Sequence, residues 1–408
     1  MTSKEKVPAA SLWHDLPYQI IYFGSPGTGK SWFVKNRVLD GIDDEFIFRT
    51  TFHPDSDYSS FVGSYKPVTG AIQEGDGKVL SMEELAEMLK SYYKSSRVKV
   101  TALLAFVLQH IAYFDGSIAN YNKKEFFEKA VGSTSYSAEA NKIVNLYGWM
   151  KDNGYINADG NIIYRFEPQV FTDAYVKSWL NLGKPVFLVI EEINRGNCAQ
   201  IFGDLFQLLD RDDDGSSAYS VNADASLRMY LENRLGVGTP GVAGGKLTLP
   251  PNFHIIATMN TSDQSLFPMD SAFKRRWEWE YIPIDETNPD SQFVIAIGDR
   301  RYSWADFLAA VNGRIRNVCE SEDKQIGNFF IKGNIDERQF KNKVMFYLWS
   351  EVCKDEFGHK SFFRNADDAG NEFSFNDLYS AERLPDMSSR STALLHGFMS
   401  YLGVKAIR

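Results

Sequence analysis

The run "GSPGTGKS" at residues 24–31 constrains the fold more than any other part of this sequence. It follows "YQIIYF", which is typical of a buried strand, and it precedes "KSWFVKNRVL", which is typical of a helix. A strand-to-helix turn of the form G-x-x-x-x-G-K-[ST] points successive backbone N–H groups at phosphate oxygens. The stretch therefore predicts a phosphate-binding loop rather than a glycine-rich turn without a ligand.

Each part of this loop has an expected role. Gly27 and Gly29 allow the sharp backbone turn, Lys30 reaches the β- and γ-phosphates, and the Ser31 hydroxyl binds Mg²⁺. The residues expected to contact the nucleotide are Gly24, Ser25, Pro26, Gly27, Thr28, Gly29, Lys30, Ser31 and Trp32.

Composition narrows the class of protein. The chain has 408 residues, 44% of them hydrophobic and 24% charged, which is ordinary for a soluble globular protein. Its three cysteines are widely spaced, so neither a disulfide framework nor a zinc site is expected. The small number of cysteines fits a reducing cytoplasm, where we expect the protein to be. We expect no membrane span, because no apolar run reaches about 18 residues. A net charge of −9 argues against a broadly basic surface, but it leaves room for a local basic stripe or pore.

The order of the segments predicts an α/β fold, with a parallel sheet flanked by helices. We expect residues 1–71 to form the first part of this core, and residues 161–286 to form the second part. Between them, residues 72–160 have a mainly helical pattern ending in "NADGNIIYRF", which suggests a winged-helix-like insertion. Residues 287–408 are expected to form a C-terminal helical lid.

Two adjacent carboxylates form the second half of the expected site. Glu191 and Glu192 end the apolar run "PVFLVIEE", and ligands bind at the carboxyl ends of strands in open α/β sheets. Neighbouring residues on a strand point to opposite sides, so their roles should differ. We assign Glu191 to the metal and Glu192 to polarisation of the attacking water. The alternative, that the pair only caps a strand, loses weight beside the phosphate loop.

Two further features extend the site. Asn260 ends the strand "IIATMN", where its amide can hydrogen-bond the γ-phosphate or the water without adding negative charge. The run "DSAFKRR" predicts a short helix that ends in two exposed arginines, Arg275 and Arg276. Such arginines suit a finger that reaches the triphosphate of a neighbouring subunit, although a solvated basic helix end remains the alternative.

Six motifs together carry a family resemblance. In order, they are "GSPGTGKS", "TFHPDSDYSSFVGSYKPV", "IEEINRGN", "MNTSD", "DSAFKRRW" and "KQIGNFF". The chain resembles the McrB-like AAA+ NTPases, the motor subunits of McrBC-type modification-dependent restriction systems. This resemblance implies a hexameric ring that hydrolyses GTP (or ATP) with Mg²⁺, translocates DNA and activates a separate McrC-like nuclease.

The resemblance also implies further site residues. Asn194 and Arg195 would belong to the nucleotide site or to the subunit interface, and Asp263 would sense the nucleotide together with Asn260. The two arginines would act across the interface between subunits.

The sequence departs from the family pattern in three places. Glu191 stands where the family usually has Asp, and the longer side chain could shift the metal and slow turnover. Ser262 replaces a family Ala. Because the phosphate loop begins at residue 24, we expect DNA recognition to come from the insertion, the lid or another polypeptide.

Two other functions remain open at this stage. The first is an ATP-dependent protein remodeller of the MoxR or dynein-related kind, and the second is a nucleotide-gated scaffold with little turnover. We expect no nuclease site in this chain, because no carboxylate–lysine pattern follows "LPDMSS". For the basic aromatic run at residues 90–100, we favour a solvated helix end over a nucleic-acid contact. We interpret His53 as a structural or interfacial residue.

Overall fold

The computed structural model describes residues 16–68, 163–262, 267–319, 322–354, 362–366, 372–380 and 389–407. The strands are β1 (Gln19–Gly24), β2 (Ile47–Thr51), β3 (Gly63–Val68), β4 (Ile163–Pro168), β5 (Val186–Glu191), β6 (Val221–Asn222), β7 (Lys246–Leu247), β8 (Phe253–Asn260), β9 (Glu278–Tyr281), β10 (Val294–Ile297), β11 (Arg300–Ser303) and β12 (Ala406–Ile407). The α-helices are Lys30–Phe33, Tyr58–Phe61, Val170–Leu180, Cys198–Phe202, Ala225–Leu235, Ser271–Lys274, Trp304–Cys319, Glu337–Gln339 and Arg390–Tyr401. Val34–Val38, Phe340–Met345 and Leu348–Val352 are π-helical, and the 3₁₀ turns are Asp44–Phe46, Ile193–Arg195, Gly203–Leu209, Ala243–Gly245, Pro289–Ser291 and Phe375–Tyr379.

The chain divides into two compact units, which are Met1–Gly63 with Pro168–Arg408, and Ser64–Glu167. Strands β3 and β4 pair with each other, and their residues 64–68 and 163–167 are the described part of the smaller unit. The insertion predicted at residues 72–160 lies outside the described residues, so its winged-helix-like character stays a prediction.

The larger unit contains a five-stranded sheet in the order β2-β5-β8-β1-β9, and every neighbouring pair is parallel. Gly24 pairs with Asn260 in the register, and Thr51 pairs with Glu191. The carboxyl ends of the central strands therefore meet at one edge, which confirms the predicted α/β core.

Burial explains the continuous apolar runs of these strands. Residues 186–190 of β5 are fully buried, as expected for a parallel strand that is covered on both faces. On one face, Val34 of the helix after the phosphate loop packs with Tyr22 and Ile256. On the other face, Phe171 of the helix Val170–Leu180 contacts Phe253, with ring centroids 6.0 Å apart.

The C-terminal region, which was predicted as a mostly helical lid, has its own hydrophobic core and also contains strands. Strands β10, β11 and β12 form an antiparallel sheet, and the helix Trp304–Cys319 follows directly after β11. Ile295, Ile297 and Tyr302 of this sheet are buried in the same cluster as Trp304. Short strands of four residues give a weaker sequence pattern than helices of 12 or 16 residues, which explains the omission.

Two more segments of the core lie between β5 and β8. The run "AQIFGDLFQLLD" at residues 199–210 changes from α-helix to a 3₁₀ turn at Gly203, whose φ of 50° ends the α-helix Cys198–Phe202. The polar stretch at 211–249 contains the helix Ala225–Leu235, which begins where the Asp224 side chain accepts hydrogen bonds from two backbone N–H groups. In the described ranges, no helix is both long enough and apolar enough to span a bilayer.

Candidate active site

The phosphate loop connects β1 to the helix that begins at Lys30. Gly27 and Gly29 have φ angles of 82° and 88°, a region that glycine adopts without steric cost. The Lys30 side chain is buried, and its Nζ donates to the carbonyl oxygens of Gly24 (3.0 Å) and Ser25 (2.9 Å). The loop thus has the backbone conformation that the glycine spacing predicts.

A cavity of about 740 Å³ lies against this loop. It is lined by Pro26, Gly27, Gly29, Lys30, Ser31, Trp32, Glu192, Thr258, Asn260, Asp290, Phe293, Phe329 and Lys332. Ser25 and Thr28, also predicted to contact nucleotide, are buried within the loop, where the Thr28 hydroxyl donates to the Ser25 carbonyl. The cavity brings together most of the predicted nucleotide-binding residues and adds four from the C-terminal region.

Glu191 lies next to the predicted magnesium ligand. The Ser31 hydroxyl donates to Glu191 Oε2 at 2.7 Å, and the Thr258 hydroxyl donates to the same oxygen. A hydroxyl and a carboxylate at hydrogen-bond distance are hard oxygen donors of the kind that Mg²⁺ prefers, so these residues fit the metal. When bound, Mg²⁺ would neutralise charge on the phosphate oxygens.

The Glu192 side chain points away from that of Glu191. Its backbone conformation, rather than strand alternation, accounts for this direction. It follows the end of β5 with a φ of 54°, the one non-glycine residue with positive φ in the described part of the chain. Such a conformation costs about 1–3 kcal/mol, and strain of this kind concentrates at functional sites. Asn260 Nδ2 donates to both Glu192 carboxylate oxygens, at 2.7 and 2.8 Å. This arrangement presents a carboxylate and an amide to the same cavity.

Thr258 is a site residue that the sequence reasoning missed. Its hydroxyl accepts from the Glu192 backbone N–H at 3.2 Å and donates to Glu191, so it contacts both acidic residues. The signal was present in the sequence, because Thr258 lies two residues before Asn260 and therefore on the same face of β8.

The other residues implied by the resemblance lie in different surroundings. Asn194 is buried and its Nδ2 donates to the Asn260 carbonyl at 2.8 Å, while its Oδ1 has no partner among the described residues. Arg195 is exposed on the adjacent turn. Asp263 lies outside the described residues, so its role as a sensor stays a prediction.

The expectation of two exposed arginines is wrong for Arg276. Its guanidinium donates to Asp210 Oδ2 at 2.6 Å and lies 4.7 Å from the centre of the Phe206 ring, leaving the side chain only 8% exposed. Asp210 is 66 positions away in the chain, so sequence alone gave no sign of this ion pair. Arg275, the residue before it, lies just after the short helix Ser271–Lys274 and is exposed.

The run "KQIGNFF" packs directly on the phosphate loop. The backbone N–H of Gly327 donates to the Pro26 carbonyl at 2.8 Å, and that of Phe329 donates to the Gly27 carbonyl at 2.7 Å. Asn312 holds this run on the lid by bonding both the N–H and the carbonyl of Ile326. The sequence showed the motif but gave it no site role.

The fold and this arrangement of residues define an AAA-type P-loop nucleoside triphosphatase. A family model for the AAA domain (dynein-related subfamily) matches residues 154–277, which include both acidic residues and Asn260. A second model, for an HTH-like domain, matches residues 81–153.

Two curated proteins are similar to this chain. It is 31% identical over 361 residues to the type II restriction enzyme BsuMI component YdiS of Bacillus subtilis (strain 168), covering 86% of this chain and 84% of that protein. It is also 31% identical over 156 residues to the type IV methyl-directed restriction enzyme EcoKMcrB subunit of Escherichia coli (strain K12), covering 37% of this chain and 30% of that protein. The chain therefore belongs to the McrB-like AAA+ proteins of restriction systems.

Proposed function

We propose that this chain is the motor of a restriction system, which hydrolyses GTP, or alternatively ATP, with Mg²⁺ in an oligomeric ring. In this proposal, hydrolysis drives translocation along DNA and activates a separate McrC-like nuclease. The observation that carries the proposal is the grouping of Lys30, Ser31, Glu192 and Asn260 around one cavity.

The chemistry follows from the contacts of these side chains. Backbone N–H groups of the loop and Lys30 would bind the phosphates, while Ser31 and Glu191 would hold Mg²⁺. Glu192 would orient the attacking water and accept its proton, and Asn260 fixes the Glu192 carboxylate through two hydrogen bonds. This division of roles accounts for the different partners of the two adjacent carboxylates.

The charged residues that line the cavity also support the proposal of a ring of subunits. Among the described residues that line it, the cations are Lys30 and Lys332, and no arginine is present. Transfer of a phosphoryl group is strongly accelerated by an arginine that stabilises the transition-state charge. The exposed Arg275 of a neighbouring copy is our candidate for this group, whereas Arg276 is held by Asp210.

The names of the relatives support a role in restriction. Both are components of restriction enzymes, and the similarity to the Bacillus protein extends over most of both chains. We therefore favour duplex DNA over a polypeptide as the substrate of the motor. Protein remodelling remains the outcome if DNA has no effect on hydrolysis.

The test compares the wild-type chain with Glu192→Gln. Hydrolysis of GTP and of ATP is measured with Mg²⁺, with and without duplex DNA, and the mass in solution is measured with each nucleotide. We expect the wild type to assemble and turn over, and the variant to bind nucleotide but hydrolyse it at least ~100-fold more slowly. Glu286→Gln, at an exposed position, is the matched control. Equal inactivity of both proteins with every nucleotide would exclude a motor.

A further inference from the structure

The two oxygens of the Glu191 carboxylate have different neighbours. Oε2 accepts hydrogen bonds from Ser31 and Thr258, on the side of the phosphate loop. Oε1 lies 3.6 Å from Nη1 of Arg49, which comes from the adjacent strand β2. One carboxylate is therefore held from two sides, by hydroxyl groups and by a guanidinium.

The position of Arg49 follows from the sheet register. Arg49 pairs with Val189, and Thr51 pairs with Glu191, so the arginine lies two residues before the carboxylate along the edge strand. The Arg49 side chain is 39% exposed and that of Glu191 is 20% exposed. The long arginine side chain thus spans the two-residue offset and reaches the carboxylate from the edge of the sheet.

A second cavity lies beside the contact between Arg49 and Glu191. It has a volume of about 570 Å³ and is lined by Arg49 and Glu191 together with Thr50, Thr51, His53 and Ser56, among others. A glutamate has one more rotatable bond than the aspartate expected at this position, so it has more conformations to lose when it is fixed. Without a contact on Oε1, the Glu191 side chain has room to rotate into this cavity and away from Ser31.

We propose that Arg49 is a positioning residue, which holds Glu191 so that Oε2 faces Ser31 and the metal. This inference rests on the proposed Mg²⁺-dependent function. Groups that contact a metal-binding carboxylate from outside the metal site orient it, and their removal typically weakens metal binding by 10–100-fold. At 3.6 Å, Arg49 makes an ion pair with Glu191 rather than a hydrogen bond. Because Arg49 is partly exposed, we expect an effect at the lower end of that range.

A competing physical effect predicts the opposite sign. A guanidinium near a divalent cation repels it, and an arginine that competed for Glu191 would weaken metal binding. Its removal would then tighten the binding of the metal. The direction of the change in affinity therefore separates a positioning role from competition.

The experiment measures binding of Mn²⁺ to the full chain with GTPγS or ATPγS, by electron paramagnetic resonance. Arg49→Met keeps the aliphatic part of the side chain and removes the charge. We expect the dissociation constant for Mn²⁺ to rise about tenfold, with nucleotide affinity in EDTA and the melting temperature unchanged. Arg49→Lys should recover most of the loss. Arg228→Met is the matched control, since Arg228 forms a partly exposed ion pair with Glu232 within the helix Ala225–Leu235.

A double-mutant cycle tests whether the effect passes through Glu191. In Glu191→Asp the carboxylate is one methylene shorter, and Nη1 of Arg49 is already 3.6 Å from Oε1 in the wild type. We therefore expect the contact to be lost in this variant, so that adding Arg49→Met changes Mn²⁺ affinity little. An equal loss in both backgrounds, no loss in Arg49→Met, or tighter binding would overturn the inference. Absence of Mn²⁺ binding by the wild-type complex would instead contradict the proposed function.

Discussion

Replacement of Gly327 by alanine tests the contact between the lid and the phosphate loop. An added Cβ would lie 2.2 Å from the Gly27 carbonyl carbon and 2.3 Å from the Thr28 nitrogen, and both are backbone atoms that cannot rotate away. Ordinary contact requires a retreat of about 1 Å. Such a shift breaks the two backbone hydrogen bonds that Pro26 and Gly27 accept, which are 2.8 and 2.7 Å long.

The expected cost follows from these bonds. At ~0.5–1.5 kcal/mol each, their loss amounts to about 2 kcal/mol. If the cost falls on the nucleotide-bound state, affinity drops by roughly 30-fold. If it falls on the fold of this 408-residue chain, the melting temperature drops by roughly 2–3 °C. Phe329 and Lys332, which line the cavity, would move with the lid segment, so we expect mainly the first effect.

The assay combines a fluorescent-nucleotide titration with thermal melting. Gly333→Ala is the matched control, because Gly333 lies in the same region, has no positive φ and has nothing within 4 Å of an added Cβ. The reasoning is refuted if Gly327→Ala matches this control in both nucleotide affinity and melting temperature.

Four other predictions follow from the structure. Arg276→Ala should destabilise the fold by about 2 kcal/mol in urea unfolding, because it leaves Asp210 without its buried partner. Arg275→Ala should leave stability unchanged and slow hydrolysis by about 10³-fold in assembled protein. Burial raises the pKa of the Cys198 thiol to about 12, so iodoacetamide at pH 8 should label it only after unfolding. Hydrogen bonds from Ser60 lower the pKa of Asp57, so the loss of stability in Asp57→Ala should be present at pH 7 and vanish as the pH falls through that lowered pKa.

The following results would contradict these predictions. A lower melting point for Arg275→Ala with normal hydrolysis would exchange the roles of the two arginines. Labelling of Cys198 in the native protein would show that the thiol is accessible and ionised. An Asp57→Ala defect that is constant from pH 7 to pH 2 would mean that the carboxylate charge is irrelevant to the helix cap.

The active-site motifs show how far the sequence alone reaches. Gly27, Gly29 and Lys30 act through their own backbone conformation and their immediate neighbours, so their spacing was enough to predict the loop. Glu191 and Asn260 were predicted to be near it because parallel strands align their carboxyl ends, and the register confirms this. The separate roles of Glu191 and Glu192 were predicted from alternation, but the structure attributes their different directions to the left-handed backbone of Glu192.

Only the tertiary structure decided the contacts that join distant segments. Arg276 pairs with Asp210, Arg49 contacts Glu191, and Gly327 packs on the phosphate loop some 300 residues before it. A periodic pattern records which face of an element is buried, but not which side chain from another element meets it there. The sequence by itself therefore determined the class of the protein and the core of its nucleotide site. Folding determined which arginine stays exposed and which residues position the acidic pair, because those outcomes depend on distances across the sheet and between the core and the lid.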